Sequence, residues 1–265
     1  MTNNTVYLGD NLNVIASLPD ESIDMIYMDP PFNTGILRKN TAGSYADWYD
    51  DYVSFLSSRL ELLKMKMKEE ATIWIHLDYR ESHYAKVLCD KIFGRENFVN
   101  EIIWSYDYGG RGKRCFPKKH DNILVYSKNP KKYYFDWNSV PRVPYMAPGL
   151  AGKVKAAKGK AITDVWWHTI VPTSGKERVN YPTQKPVGLI KRAIAVCCPP
   201  GGVVLDAFAG SGSTAAAADI CKRNWIMIDE SKDAWKTMQS RFLGRNDISW
   251  VNTVSILENQ IEEEQ

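Results

Sequence analysis

The strongest constraint on the fold is a set of short, nearly continuous apolar runs, each stopping abruptly at an acidic or small residue. Asp24-Met25-Ile26-Tyr27-Met28 stops at Asp29-Pro30-Pro31, Val203-Val204-Leu205 at Asp206-Ala207, and Trp225-Ile226-Met227-Ile228 at Asp229. Such runs are too short for helices and too uniformly apolar for strands wetted on one face, so they read as strands buried on both faces of a parallel sheet. Thr5–Leu8, Ala71–Leu77, Ile102–Trp104 and Ile123–Tyr126 read as further strands. Between them lie helical segments: Asn11–Leu18 closed by Pro19, Asp51–Glu70 with a stripe at Val53, Leu56, Leu60, Leu63 and Met67, and Glu81–Phe93. Lys185–Cys198, Thr214–Cys221 and Ser231–Phe242 complete the set. Strands alternating with helices predict a doubly wound, Rossmann-like α/β sheet.

One stretch breaks the alternation. Residues 135–182 are rich in Pro, Gly, Lys and aromatic residues without a sustained period, and are too long for an ordinary connection. They read as an insertion with its own task. With 44% hydrophobic residues, the chain has apolar content for one large core. No apolar run reaches the length of a membrane span and the polar start Met1-Thr2-Asn3-Asn4-Thr5 is unlike a signal peptide, which leads to the expectation of a cytoplasmic protein with no membrane partner. The five cysteines lack CxxC spacing, so neither a disulfide framework nor a metal site is expected.

The net charge of +3 says little, but its distribution says more. Arg111, Lys113, Arg114, Lys118, Lys119, Lys128, Lys131 and Lys132 face a single acidic residue, Asp121, within their stretch, whereas the tail 258–265 is acidic. A cluster of this kind suits a polyanion, although a solvated face would look the same.

Two turns carry the chemistry. Asp206-Ala207-Phe208-Ala209-Gly210-Ser211-Gly212-Ser213-Thr214 links a buried strand to an Ala-rich helix, and its glycines let backbone approach a ligand at a helix N-terminus. Asp229, ending the next strand, is placed to accept ribose hydroxyls. By itself this pattern also suits a nicotinamide cofactor, but it lacks a third glycine at the usual spacing. The second turn, Asp29-Pro30-Pro31-Phe32, ends a buried strand where open α/β sheets place their ligand crevice. Its prolines fix the backbone. A carboxylate, a rigid carbonyl and an aromatic ring together suit an amino group on a flat heterocycle, held for in-line displacement at an electrophilic methyl.

Taken together, Asp29–Phe32, Tyr181-Pro182-Thr183-Gln184-Lys185-Pro186 and Asp206–Gly212 resemble, in this order, the amino-group DNA methyltransferases in their permuted (beta-class) arrangement. The segments around Asp29–Gly35, Trp48 and Phe93–Phe98 are especially similar to adenine-N6 modification subunits of type III restriction systems and their small solitary relatives. The resemblance spans roughly residues 5–130 and 180–245. It implies a circularly permuted methyltransferase sheet, S-adenosylmethionine as cofactor and double-stranded DNA as partner, with a flipped-out base as target. Residues 1–134 and 183–257 would form the catalytic and cofactor-binding domain, and 135–182 a small target-recognition region.

The resemblance assigns Asp29, Pro30, Pro31 and Phe32 to catalysis. It gives Asp206, Phe208, Gly210, Gly212 and Thr214 to the cofactor loop, Asp229 to the ribose, and Thr183, Gln184, Lys185 and Pro186 to the cofactor's carboxylate end. Asp10 resembles the family acid that contacts the cofactor's adenine, while the residues alone equally suggest a helix N-cap for Asn11 onward. Arg111, Lys113, Arg114, Lys118 and Lys119 would grip phosphates. Tyr45, Trp48, Tyr49 and Tyr52 would either line the base pocket or pack the core, and Trp137, Tyr145, Trp166 and Trp167 are expected mostly to pack the insertion. The permutation would set the first strand beside the strand at Trp225 and bring the termini near each other.

Asp-Pro-Pro leans toward adenine, where Ser-Pro-Pro is the family tendency for cytosine N4, which stays open as the alternative. RNA or a protein amide is disfavoured by Asp in place of Asn. Cytosine C5 methylation would need a nucleophilic Cys, and Cys197-Cys198 lie within a helix. A nicotinamide oxidoreductase leaves Asp29–Phe32 unexplained, and a catalytically silent nucleic-acid-binding module is opposed by the intact motif residues. A homodimer and an accompanying restriction enzyme are left open.

Overall fold

The computed structural model describes residues 4–40, 43–110 and 112–253, with side chains of 36–40 and 43–46 left aside. Arg111 and the acidic tail lie outside the described residues. The strands are β1 (Asn4–Leu8), β2 (Ile23–Met28), β3 (Ile36–Asn40), β4 (Gly43–Asp47), β5 (Met67–Leu77), β6 (Phe98–Ser105), β7 (His120–Ser127), β8 (Arg142–Val143), β9 (Lys160–Ala161), β10 (Val165–Trp167), β11 (Val203–Asp206), β12 (Asn224–Asp229) and β13 (Ile248–Asn252). The helices are α1 (Asn11–Ser17), α2 (Tyr52–Lys66), α3 (Ser82–Phe93), α4 (Pro148–Ala151), α5 (Lys153–Lys158), α6 (Val187–Cys197), α7 (Ser213–Ile220) and α8 (Lys232–Arg241).

Nine strands form one sheet in the order β10-β6-β7-β5-β2-β11-β12-β1-β13. Every neighbour pair is parallel except those of β7, which runs antiparallel to both β5 and β6. Pairing Val204 with Met25 and Leu205 with Ile26 sets β11 directly beside β2. The apolar runs have the burial their composition requires. In β2, Met25 and Tyr27 join a core layer with Leu189 and Ile190 of α6 and Met238 of α8, while Ile26 and Met28 join the opposite layer with Leu56 and Leu60 of α2. Thus α1, α2 and α3 cover one face and α6, α7 and α8 the other. The connections after β2 (through α2 to β5) and after β11 (through α7 to β12) run to opposite sides of this junction, the switch point at which such sheets open a crevice.

As expected, β1 lies beside β12, with Thr5 opposite Ile226. A further strand, β13, pairs with the other edge of β1, so the first and last described strands are neighbours. Because they run parallel, Asn4 meets Ile248 at one end and Leu8 meets Asn252 at the other. Several boundaries differ from the sequence reading. The helix expected to reach Glu70 ends at Lys66, and β5 begins at Met67. There Lys68 pairs with Asp24 and Asn129 donates to Glu69, which lets polar residues continue a strand. The antiparallel pair β3 and β4 follows the Asp-Pro-Pro-Phe turn and was not anticipated.

Residues 135–182 are largely irregular, but they are not detached from the sheet. Strand β10 forms its edge beside β6, with Trp166 opposite Trp104. Trp166 is buried, Tyr145 half-buried, and Trp137 and Trp167 exposed, so Trp166 is the one packed in the core.

Leu60 is fully buried between α2 and the sheet. Leu60→Ala should lower the unfolding free energy by about 3 kcal/mol in chemical denaturation, the cost of lost burial plus a residual cavity.

Candidate active site

The switch point opens into a cleft of about 1000 Å³ that contains both chemistry-bearing turns. Asp29, Pro30, Pro31 and Phe32 line one part, and Asp206, Phe208, Gly210, Ser211, Ser213, Thr214 and Asp229 another. Three strand ends therefore deliver carboxylates to one space: Asp29 after β2, Asp206 at the end of β11 and Asp229 at the end of β12.

The glycine loop is held by its own side chains. Asp206 accepts from Phe208 N at 2.9 Å and from Thr214 Oγ1 at 2.5 Å, so Thr214 braces the loop from the first turn of α7. Asp229 accepts from Gly210 N at 2.7 Å and Ser231 N at 2.8 Å. Its two oxygens thus tie strand β12 to the loop while its side of the cleft stays lined by Asp229, Glu230 and Ser231. Gly212 has φ +73° at the cap of α7, and a Cβ there would lie 2.9 Å from Met238 Cγ. Both its left-handed backbone and its close packing require glycine.

Burial dominates the electrostatics of these acids. It pushes Asp206 up to about 7, opposed by the Thr214 and Phe208 hydrogen bonds, and pushes Asp229 up to about 6. Two buried acids near neutrality suit a cationic ligand, whose charge would favour their ionised forms.

The Asp29 turn is supported from below and behind. Asn33, at φ 51°, donates to Glu81 at 2.8 Å and accepts from Tyr49 N at 3.0 Å, pinning the chain just after Phe32. The Phe32 ring lies 6.1 Å from the ring of His76. His76 is fully buried and joins Tyr27 Oη at 3.1 Å to Asp121 at 3.1 Å, and Tyr106 donates to the other Asp121 oxygen at 2.9 Å. Burial alone would raise Asp121, but the His76 contact and the nearby Lys185 charge bring it below its ordinary value. Burial, with help from the Asp29 charge, raises Tyr27 well above the usual phenol range, so it stays a neutral hydroxyl at hydrogen-bond distance from His76 Nδ1. This network spans β2, β5 and β7, and no linear motif announces it.

Other residues expected at the site fall in different places. Thr183, Gln184 and Lys185 line the cleft. The Gln184 amide, however, braces its own loop, accepting from Val179 N at 2.9 Å and donating to Glu177 O at 2.7 Å. Pro186 caps α6. The Lys185 ammonium sits on Asp29. Asp10 is outside the cleft lining and caps α1 by accepting from Asn13 N, the role its position before Asn11 also allowed. Its neighbour Asn11 does line the cleft, and is bonded to Ala207 O at 2.9 Å and to Arg59 at 2.8 Å. Tyr49 also lines it, its ring centre 4.1 Å from that of Phe55 and tilted by 34°, whereas Tyr52 is buried and Trp48 exposed. The side chain of Tyr45 lies outside the described residues. Lys113, Arg114 and Lys118 are exposed, and Lys119 is half-buried, on the connection whose start, Asp107 and Tyr108, lines the cleft. Lys118 donates to Tyr79 Oη and Lys119 to Gly109 O, each at 2.9 Å.

A model of the DNA methylase family matches residues 23–240, which contain both turns and the strands that carry them. The chain belongs to that family. Among related methyltransferases, the type II methyltransferase M.ScaI of Streptomyces caespitosus is 30% identical over 80% of this chain and 72% of its own length. The DNA adenine methyltransferase YhdJ of Escherichia coli (strain K12) is 29% identical over 85% of this chain and 78% of its own. Similar solved folds include the PvuII DNA methyltransferase (cytosine-N4-specific), with TM-score 0.70 and 19% identity over 93% of this chain and 89% of that one. Another is the M1.HpyAVI complex with S-adenosylmethionine, with TM-score 0.64 and 21% identity over 90% and 98%.

The DNA methylase is thus an amino-group methyltransferase of restriction-modification type, with strand β2 and its Asp-Pro-Pro-Phe turn ahead of strand β11 and its glycine loop in sequence. S-adenosylmethionine is the methyl donor of such enzymes, and the residues present fit it: a glycine loop at a helix start, buried acids for a cationic ligand, and a cleft of sufficient size. Among the described residues no group of acids, His and Cys is placed to hold a metal ion, and no helix is long and apolar enough to cross a membrane.

The raised Asp206 has a consequence for stability. A carboxyl whose folded value lies near 7, against an ordinary 3.8, favours the ligand-free fold below about 3.8, and that contribution is lost progressively as pH rises from there to about 7. Asp206→Asn should therefore melt a few degrees above the unmodified protein at pH 8, with the gap closing toward pH 5. Calorimetric titration should show weaker S-adenosylmethionine binding by the variant at pH 8.

Proposed function

We propose that this DNA methylase transfers a methyl group to the exocyclic N6 of an adenine flipped out of double-stranded DNA. The observation that carries the reading is the Asp29 carboxylate, whose Oδ1 is buried without a hydrogen-bond partner among the described residues, in the same cleft as the glycine loop. A buried carboxylate oxygen left unpaired is costly unless a ligand completes it, and an amino N–H is the complementary donor.

On this reading, Asp29 and the Pro30 carbonyl accept the two amino hydrogens and aim the nitrogen lone pair, while Phe32 stacks on the base. The glycine loop, Thr183 and Asp229 hold the cofactor, which supplies an electrophilic methyl group on a sulfonium. With the cofactor bound, its methyl would pass to the nitrogen, the neutral thioether would leave, and the amino group would release one proton to solvent. The residues' work is orientation and electrostatics.

Adenine is favoured by Asp at the first position of the turn and by the likeness to YhdJ, a DNA adenine methyltransferase. Cytosine N4 is the second reading, because the PvuII enzyme of similar fold is cytosine-N4-specific. Lys113, Arg114, Lys118 and Lys119, on the connection that begins at the cleft, would grip phosphates. Exposed Tyr108 and Trp167 line the cleft. Residues 135–182 serve target recognition on the frame formed by 1–134 and 183–257.

The test is to incubate the protein with unmodified duplex DNA and S-adenosylmethionine, digest to nucleosides and analyse by mass spectrometry. N6-methyladenine is expected, with Asp29→Ala reducing it by about 100-fold or more. N4-methylcytosine instead would overturn the base assignment, and the absence of any methylated nucleoside would overturn the reading.

A further inference from the structure

We propose that Lys185 is the positioning residue for Asp29: its ammonium holds one carboxylate oxygen so that the other is presented to the target amino group. The proposal rests on the methyltransfer reading above and assigns Lys185 to the catalytic turn rather than to the cofactor's carboxylate.

Lys185 Nζ contacts Asp29 Oδ2, and the two side chains are only 12% and 18% exposed. At this burial the pair is shielded from the screening that makes surface ion pairs weak. With Oδ2 held, the carboxylate cannot turn about its Cβ–Cγ bond, so the direction of the unpaired Oδ1 is set. The same ammonium lies 4.7 Å from the centre of the Phe32 ring, tying both recognition elements of the turn to one charge. It also acts on Asp121, at the end of the His76 network, helping keep that carboxyl ionised.

Lys185 is anchored from the cofactor side. Its backbone carbonyl accepts from Ser213 Oγ at 2.8 Å, and Ser213 is the first residue of α7, directly after Gly212. One residue thus spans the two halves of the cleft, its main chain on the glycine loop and its side chain on the catalytic carboxylate, 156 residues away in sequence. Any movement of the loop on binding its ligand reaches Asp29 through this contact. A lysine serving only the cofactor's carboxylate would have no need of the Asp29 pair.

The experiment compares the unmodified protein with Lys185→Met and Lys185→Arg, measuring S-adenosylmethionine Kd by calorimetry and the methylation rate at saturating cofactor and DNA. Lys185→Met should leave cofactor Kd nearly unchanged and reduce kcat by about 100-fold, the expected cost of a misplaced reacting group. Lys185→Arg, which keeps the charge on Asp29, should recover a substantial part of kcat. Weakening of cofactor Kd by about tenfold or more with kcat retained would assign Lys185 to the cofactor and overturn the proposal. An unchanged or increased kcat in Lys185→Met would overturn it too, making the ammonium a stand-in that the base displaces. If Lys185→Met does not fold, Lys185→Arg decides alone: a weakened cofactor Kd with unaltered kcat contradicts the proposal, and altered kcat with unaltered Kd supports it. Absence of product from the unmodified protein would count against the methyltransfer reading itself.

Discussion

Two parallel backbone pairings, Val204 with Met25 and Leu205 with Ile26, hold β11 against β2, and the site depends on that adjacency. The strands are separated by most of the chain, yet their C-terminal ends open onto one cleft, placing Asp29 near enough for its charge to be felt by Asp206. The helix that follows β2 packs in one core layer and the helix that follows β11 in the other, so the two connections leave the junction on opposite faces of the sheet. Permuting the order of the halves changes nothing in this geometry, because the pairing and not the sequence order brings the turns together. That is why a chain with the catalytic motif first can perform the same chemistry.

The cleft is built from groups that are costly without a ligand. Asp206 and Asp229 are raised toward neutrality by burial, and Asp29 keeps an unpaired buried oxygen. Each cost falls when a cation or an amino donor arrives, so stability given up by the empty protein is recovered on binding. The rigid neighbours make this tolerable: Asn33 pins the catalytic turn, Thr214 and Gly212 fix the glycine loop, and the Tyr27–His76–Asp121–Tyr106 network supports Phe32 from beneath.

The sequence shows the interior of the sheet far better than its margins. Strands β2, β11 and β12 were legible because burial on both faces leaves a continuous apolar run. Strand β10, three residues among turn formers, exists through its pairing with β6, including the bond from Ile103 N to Asp164 O at 2.8 Å. Polar Lys68, Glu69 and Glu70 extended the apparent helix past Lys66, since their strand conformation depends on partners distant in sequence. The site divides in the same way. Turn positions and glycines were legible because they are local demands of the backbone. The directions of the Gln184 and Lys185 side chains were not, because packing sets them, and the His76 network leaves no trace in any one segment.

The central claim is that one cleft brings the target amino group and the methyl donor together across the β2–β11 junction. The most direct measurement is a crystal structure of the protein with a non-reactive cofactor analogue and a duplex containing its recognition site. The account predicts a flipped base stacked on Phe32, its amino nitrogen about 3 Å from the Asp29 carboxylate and its open side facing a cofactor seated on the Gly210–Gly212 loop. A target base bound elsewhere, or a cofactor whose sulfonium lies away from Asp29, would contradict it.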